Sequence, residues 1–306
     1  MTFPAIYYLL RQFVNENSRS RSVAAISIGT ISGAVTSFLL SPVLVEEFGW
    51  DSVFLVFGGL FGPVFVILWF WFVPSTTPVD DTALASLGEE DEEATIPIGY
   101  FAMLQNPTLG AIFLAHFAHN LCHFALMSWL PTFLNEKLGM SGNSLAISSL
   151  PWVVMGLSVS MSSSLADRMI SEGYDKPYVR RMCTVSAFVV AGMSMSVVAI
   201  LTSSIEPHPV ATLAFLSLAL AANGASTAGG YEAAKLDLSR TASAASRLQS
   251  LSNTLATLAG VVGVPLVAML KGNGADWENV FIGLSCAFFF AALIFHTLGR
   301  WSGPIL

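Results

Sequence analysis

Three histidines stand close together in an otherwise apolar run: His116, His119 and His123 lie within Pro107–Phe133, with Asn120 beside them. Imidazole is the side chain whose ordinary pKa lies near neutrality. Such a cluster can contact an anion when protonated, pass a proton, or bind a metal. The spacing is helical: at about 100° per residue the four side chains share a stripe about 100° wide. The run is also long enough to cross a bilayer, whose core of about 30 Å takes roughly 20 helical residues at about 1.5 Å each. A titratable stripe at that depth belongs against a cavity or a protein interface, not lipid. His119 and His116 are read as substrate-facing together with Asn120, and His123, nearer the outer edge, as interfacial. Hydrogen bonding between helices is the alternative for all of them. No metal site is assigned, because no carboxylate or cysteine joins the stripe.

A second polar face lies further along. Asn223, Ser226, Thr227 and Tyr231, with Gly230 beside them, share one side of the apolar run from about Val210 to Ala233. Asn253, Thr254 and Thr257 do the same in the run from about Leu248 to Leu270. Both sets can hydrogen-bond a solute or glue helices together. Glu232 falls about 180° from Asn223 on a regular helical wheel and is read as interfacial. No run contains paired carboxylates, a zinc-protease HExxH or a phosphate-binding glycine loop, and no lysine or arginine stands in mid-run. Gly139–Gly142 (GMSG) falls in a loop outside the apolar runs and is read as chance.

The elements that must hold these residues are membrane helices. The chain has 306 residues, 54% hydrophobic and 11% charged, with a mean hydropathy of +0.67. Soluble domains carry about 25% charge, so a soluble enzyme is excluded and a nucleic-acid partner is not expected. The net charge of −7 is local, since much of it comes from Asp80, Asp81 and the run Glu89 to Glu93. Cys122, Cys183 and Cys286 sit singly in separate apolar runs and form no disulfide framework. The amino terminus carries no readable targeting address. Further spans are expected at about Ser22–Val45, Val53–Val73, Leu145–Leu165, Met182–Ser203 and Val280–Leu298, giving eight full spans after a half-length Met1–Leu10. Gly29, Gly33, Ser37 and Ser41 form a small-residue ladder expected to receive another helix. Gly58, Gly59, Gly62 and Pro63 mark a bend. Taking loops alternately, nearly all lysines and arginines fall on one side, leaving Lys137 and Lys271 on the other; the basic side is read as cytosolic or its organellar equivalent.

An internal repeat sets the architecture. Thr30, Gly33, Trp50, Val53 and Phe54 recur 227 positions later as Thr257, Gly260, Trp277, Val280 and Phe281, with Asp51 matched by Glu278. Both copies cross in the same direction, as in carriers built from two parallel halves. The expected organisation is a remnant of an N-terminal half at residues 1–73, an acidic cytoplasmic linker at 74–99 and a six-helix half at 100–306. The same offset puts counterparts of the histidine helix upstream of Met1, so about the first three and a half helices of such a bundle are expected to be missing.

The chain resembles the anion transporter family of the major facilitator superfamily, which includes sialin, vesicular glutamate carriers and plant plastid phosphate and ascorbate carriers. The resemblance rests on SRSRS at Ser18–Ser22, GWDSVF at Gly49–Phe54, AHFAHN and SWLPTF within Ala115–Phe133, LADR at Leu165–Arg168 and SNTLATLAGVVG at Ser252–Gly263. Ser163 stands where glycine is usual before LADR, and Leu121 where plastid-type members carry tryptophan. The resemblance implies an all-α membrane bundle and no enzyme. It places Asp167 and Arg168 in a gate with Arg21, where the aspartate would meet the positive start of the Ser22 helix. The implied activity is alternating-access transport of a small anion, inorganic phosphate first or an organic anion, driven by Na+ or H+ and using no cofactor. The principal positive charge for the anion is expected upstream of Met1. The alternatives are a truncated non-transporting membrane protein or incomplete gene model, and a metal or other organic solute carrier. A plastid or other organellar membrane is implied, with the plasma membrane open.

Overall fold

Asn106 opens the histidine helix by accepting hydrogen bonds from the Thr108 and Leu109 amides at 3.0 and 3.2 Å, and Pro107 occupies the first turn, where a missing N–H costs nothing. The helix closes at Gly139, whose φ of 66° is left-handed, so it covers Pro107–Leu138, five residues beyond the expected end. The computed structural model describes residues 2–72 and 99–306 apart from Ile205, Pro207 and Ala275. The expected linker at 74–99, with its acidic run, lies outside the described residues except for Gly99.

In chain order the helices are α1 (Thr2–Phe13), α2 (Arg19–Phe48), α3 (Asp51–Phe54), a π-helical stretch (Leu55–Phe61), α4 (Gly62–Phe72), α5 (Tyr100–Gln105), α6 (Pro107–Leu138), a 3-10 segment (Gly142–Ser149), α7 (Leu150–Ser171), α8 (Lys176–Ser203), α9 (Pro209–Ser226), a second π stretch (Thr227–Tyr231), α10 (Glu232–Leu238), α11 (Ala242–Lys271) and α12 (Trp277–Leu298). Among the described residues, eight helical runs are long and apolar enough to cross a membrane, at the places the hydropathy pattern expects. The chain is a multi-pass membrane protein. Helices α6 to α12 form one packed group in which α8 contacts α12 and α9, α7 contacts α9, and α6 contacts α11. Helix α2 leans on α7, and α1 on α11.

Two expectations about α2 to α4 meet different outcomes. The bend region falls in the π stretch Leu55–Phe61, where Gly58 and Gly59 lie, just before Gly62 and Pro63. The ladder on α2 receives no helix among the described residues: a Cβ at Gly29 or Gly33 would meet nothing within 4 Å. The segment Asp51–Phe61 buries no side chain, and the large apolar side chains of α4 through Trp71 are exposed.

The second π stretch matters more. Gly230 there has φ −113° and ψ −123°, outside the helical region, and a Cβ on it would collide with Thr184 of α8. A π turn holds about one residue more than an α turn, so everything after it is rotated by about 100° relative to a regular wheel. The helical run also continues to Leu238, past the expected end at Ala233.

Candidate functional site

A cavity of about 360 Å³ lies where α1, α2, α6, α7, the second π stretch and α11 meet. His116, His119, Asn120 and His123 all line it, so the stripe reads correctly as a wall. His123 is a correction in detail. It faces the cavity and packs edge-on against Trp152 at 4.9 Å, near the middle of α6, which continues to Leu138. Of the second face, Thr227 and Tyr231 line the cavity, whereas Asn223 and Ser226 do not. Asn223 is fully buried and braces α9 to α6: its side-chain amide donates to His119 O at 3.3 Å, and its backbone carbonyl lies 3.2 Å from His119 Nδ1. A carbonyl only accepts, so His119 Nδ1 carries the ring proton and Nε2 is left as an acceptor. On α11, Asn253 and Thr257 line the cavity; Thr254 instead donates to Ser250 O at 2.9 Å. The Tyr231 ring sits 5.6 Å from His116 and 6.0 Å from His119, with its hydroxyl buried and unpartnered.

Glu232 is the larger correction. It is not interfacial but lines the cavity, carried round by the π turn that a regular wheel omits. Its Oε1 lies 2.6 Å from Lys235 Nζ and 3.3 Å from His116 Nε2, and its Oε2 accepts from the Tyr7 hydroxyl of α1. Lys235, which looks like a loop cation in the sequence, is fully buried one turn behind it. Its ammonium reaches Glu232, Gln249 Oε1 at 2.9 Å and His116 Nδ1 at 3.1 Å, which uses all three donors. With an ammonium and the Ser252 hydroxyl (2.8 Å) on Nδ1, the His116 proton belongs on Nε2, aimed at Glu232. A buried cation therefore stands behind the cavity wall, already paired with Glu232. The sequence signal was the opposite-charge pair Glu232 and Lys235 at i, i+3 in an apolar context.

Below the cavity, at the end that carries most of the basic residues, a charged plug joins α2, α8 and α10. Asp237 takes Arg180 Nε at 2.8 Å and Arg19 Nη1 at 3.1 Å, and Arg180 Nη1 also donates to Ser20 Oγ at 2.6 Å. All three charged groups are buried. Asp167 accepts from the Arg21 backbone N–H at 3.1 Å, capping the first turn of α2, with the Arg21 guanidinium 3.9 Å away. Arg168 is not part of this contact: it is exposed and pairs with Glu172 at 2.8 Å on its own helix. Arg11 of α1 donates to the carbonyls of Ser239 and Arg240, both at 2.8 Å.

The sequence matches the Major Facilitator Superfamily over residues 1–229. It is 30% identical to an ascorbate transporter, chloroplastic, of Arabidopsis thaliana, with 92% of this chain and 51% of that protein aligned. It is also 30% identical to a sodium-dependent phosphate transport protein, chloroplastic, of the same plant, over 92% and 54%. To a voltage-gated purine nucleotide uniporter of Rattus norvegicus it is 29% identical, over 91% and 60%. The chain spans about half the length of the plant relatives. With its helical bundle, central cavity and charged plug, this chain belongs to the Major Facilitator Superfamily, a family of transporters and not of enzymes, on the branch of its anion transporters.

Proposed function

We propose that this chain carries a small anion across an organellar membrane, plastid first, by alternating access driven by an ion gradient. The observation that carries the reading is the cavity itself: the histidine stripe, Tyr231 and Asn253 meet there, and the two repeat-related threonines, Thr30 and Thr257, face it from either side. His119, Asn120, His116, Thr227, Tyr231 and Asn253 would contact the solute, with Asn223 positioning His119. Asp167 and Arg21 would hold the basic end shut and part as the halves rock. Inorganic phosphate remains a candidate. The cavity volume and its apolar share, from Phe3, Ile26, Phe124 and Met155, favour an organic, hydroxylated anion beside it.

The test is binding and counterflow of labelled phosphate and labelled ascorbate by the purified chain in liposomes. Saturable binding of at least one, weakened tenfold or more by His119→Ala, is expected. Absence of binding for both would end the reading. Asp167→Asn should shift cysteine crosslinking across the basic end toward the open form, and an unchanged pattern would remove the latch.

A further inference from the structure

The charges around the cavity sum to zero in an instructive way. Glu232 is the one carboxylate on the wall among the described residues, and Lys235 directly behind it is the one buried ammonium. They are paired at 2.6 Å. An anion entering this cavity thus meets a neutral site and must give up its hydration for it, which is unfavourable in a low-dielectric interior. One added proton on Glu232 changes that: the carboxylate loses its charge, and the ammonium is left to balance the anion. Ionisable groups at membrane depth are retained for such roles, with their partners beside them.

We propose that Glu232 and Lys235 form a coupled proton and anion site, in which a proton bound by the Glu232 carboxylate releases the Lys235 charge to the substrate. The proposal rests on the carrier reading above and names its coupling ion. In the cycle, a proton from one side adds to a Glu232 oxygen and the Glu232–Lys235 ion pair breaks. The anion then enters against Lys235 and the histidine stripe. After the halves rock, the anion leaves, Glu232 gives its proton to the other side, and the ion pair re-forms. One proton and one monoanion cross together with no net charge.

The link to rocking is also visible. The Tyr7 hydroxyl on α1 donates to Glu232, so the carboxylate ties α1 to α10 across the cavity, and protonation weakens that tie. Glu232 is contacted by Tyr7 from α1, His116 from α6 and Lys235 on its own run; around them, His119 lies beside Tyr231, and neutral Gln249 and Ser252 of α11 bond Lys235 and His116. From α2 and α8, Arg19 and Arg180 face Asp237 further along α10, so they do not compensate Glu232.

The experiment counts protons taken up per anion bound, by calorimetry in buffers of different ionisation enthalpy, using ascorbate and inorganic phosphate with the phosphate's own proton exchange subtracted. The wild-type chain should take up about one proton per anion. Glu232→Gln should still bind and take up none, with affinity independent of pH. The double variant Glu232→Gln, Lys235→Gln buries no lone charge; it should bind at least tenfold more weakly at every pH, also without proton uptake. Anion binding by the wild type with no proton uptake overturns the proposal and leaves the carrier reading intact. Proton uptake that persists in Glu232→Gln, or pH-dependent affinity in the double variant, places the proton elsewhere and overturns it too. If neither anion binds the wild type, the carrier reading itself fails.

Discussion

The two copies of the internal repeat share their residues but not their surroundings. In each, a 30-residue helix (α2 or α11) carries a threonine on the cavity wall, then a glycine, and is followed by a tryptophan at the start of the next helix. In the second copy Trp277 is 1% exposed and Phe281 is fully buried. Trp277 packs edge-on against Phe133 at 5.1 Å and donates from Nε1 to Glu136 at 2.9 Å. In the first copy Trp50 and Phe54 are 72% and 71% exposed. Both copies make a helix, a turn and a second helix, though the first continues into the π stretch Leu55–Phe61 and the second stays α-helical from Trp277 to Leu298. A further difference is that α6 stands beside the second copy, and among the described residues no comparable helix stands beside the first. Shared residues therefore recur in a similar local arrangement, while packing depends on the neighbour.

The contrast can be broken by substitution. Trp277→Ala removes a buried ring and its hydrogen bond, and should cost about 3–5 kcal/mol in detergent unfolding, whereas Trp50→Ala should stay within about 0.5 kcal/mol. Equal costs would mean that both tryptophans are packed. The glycines come next. A Cβ at Gly260 would lie 2.9 Å from a Phe124 ring carbon, and one at Gly33 would meet nothing within 4 Å. Gly260→Ala should therefore destabilise by about 1–2 kcal/mol through overpacking, and Gly33→Ala should stabilise by up to about 1 kcal/mol through helix propensity. Melting temperatures of the two variants moving the same way would sink the distinction.

A smaller effect sharpens it. Glu136 also pairs with Lys271 at 2.9 Å, and Lys271 lies over the Trp129 and Trp277 rings at 5.8 and 5.6 Å. Glu136→Gln keeps the acceptor for Trp277 but loses the ion pair, at about 0.5–1 kcal/mol, and high salt should erase the difference. The smallest effect lies where the copies agree. Thr30 and Thr257 both line the cavity, and both bond their own helix, to Ile26 O at 3.4 Å and Asn253 O at 2.7 Å. Either threonine changed to valine should weaken anion binding by a similar factor, about two- to fivefold. A loss confined to one would show that the solute leans on a single half.

The sequence by itself determined the membrane spans and the cavity-facing stripe of α6. Those are local properties: hydropathy summed over a span, and a 3.6-residue period in a regular helix such as Pro107–Leu138. The family resemblance, not a local pattern, implied that Asp167 meets the start of α2, where the structure finds it accepting from the Arg21 amide. Only the tertiary structure decided the rest. Glu232 and Lys235 came to the cavity through a π turn, which shifts every later side chain and leaves no mark in composition. Asp237 gathered Arg180 and Arg19 from helices 57 and 218 positions away, converting what look like loop charges into a buried plug. The exposure of Trp50 and the burial of Trp277 depend on which helix lies alongside, and a neighbour in space is not a periodicity that a local pattern can encode.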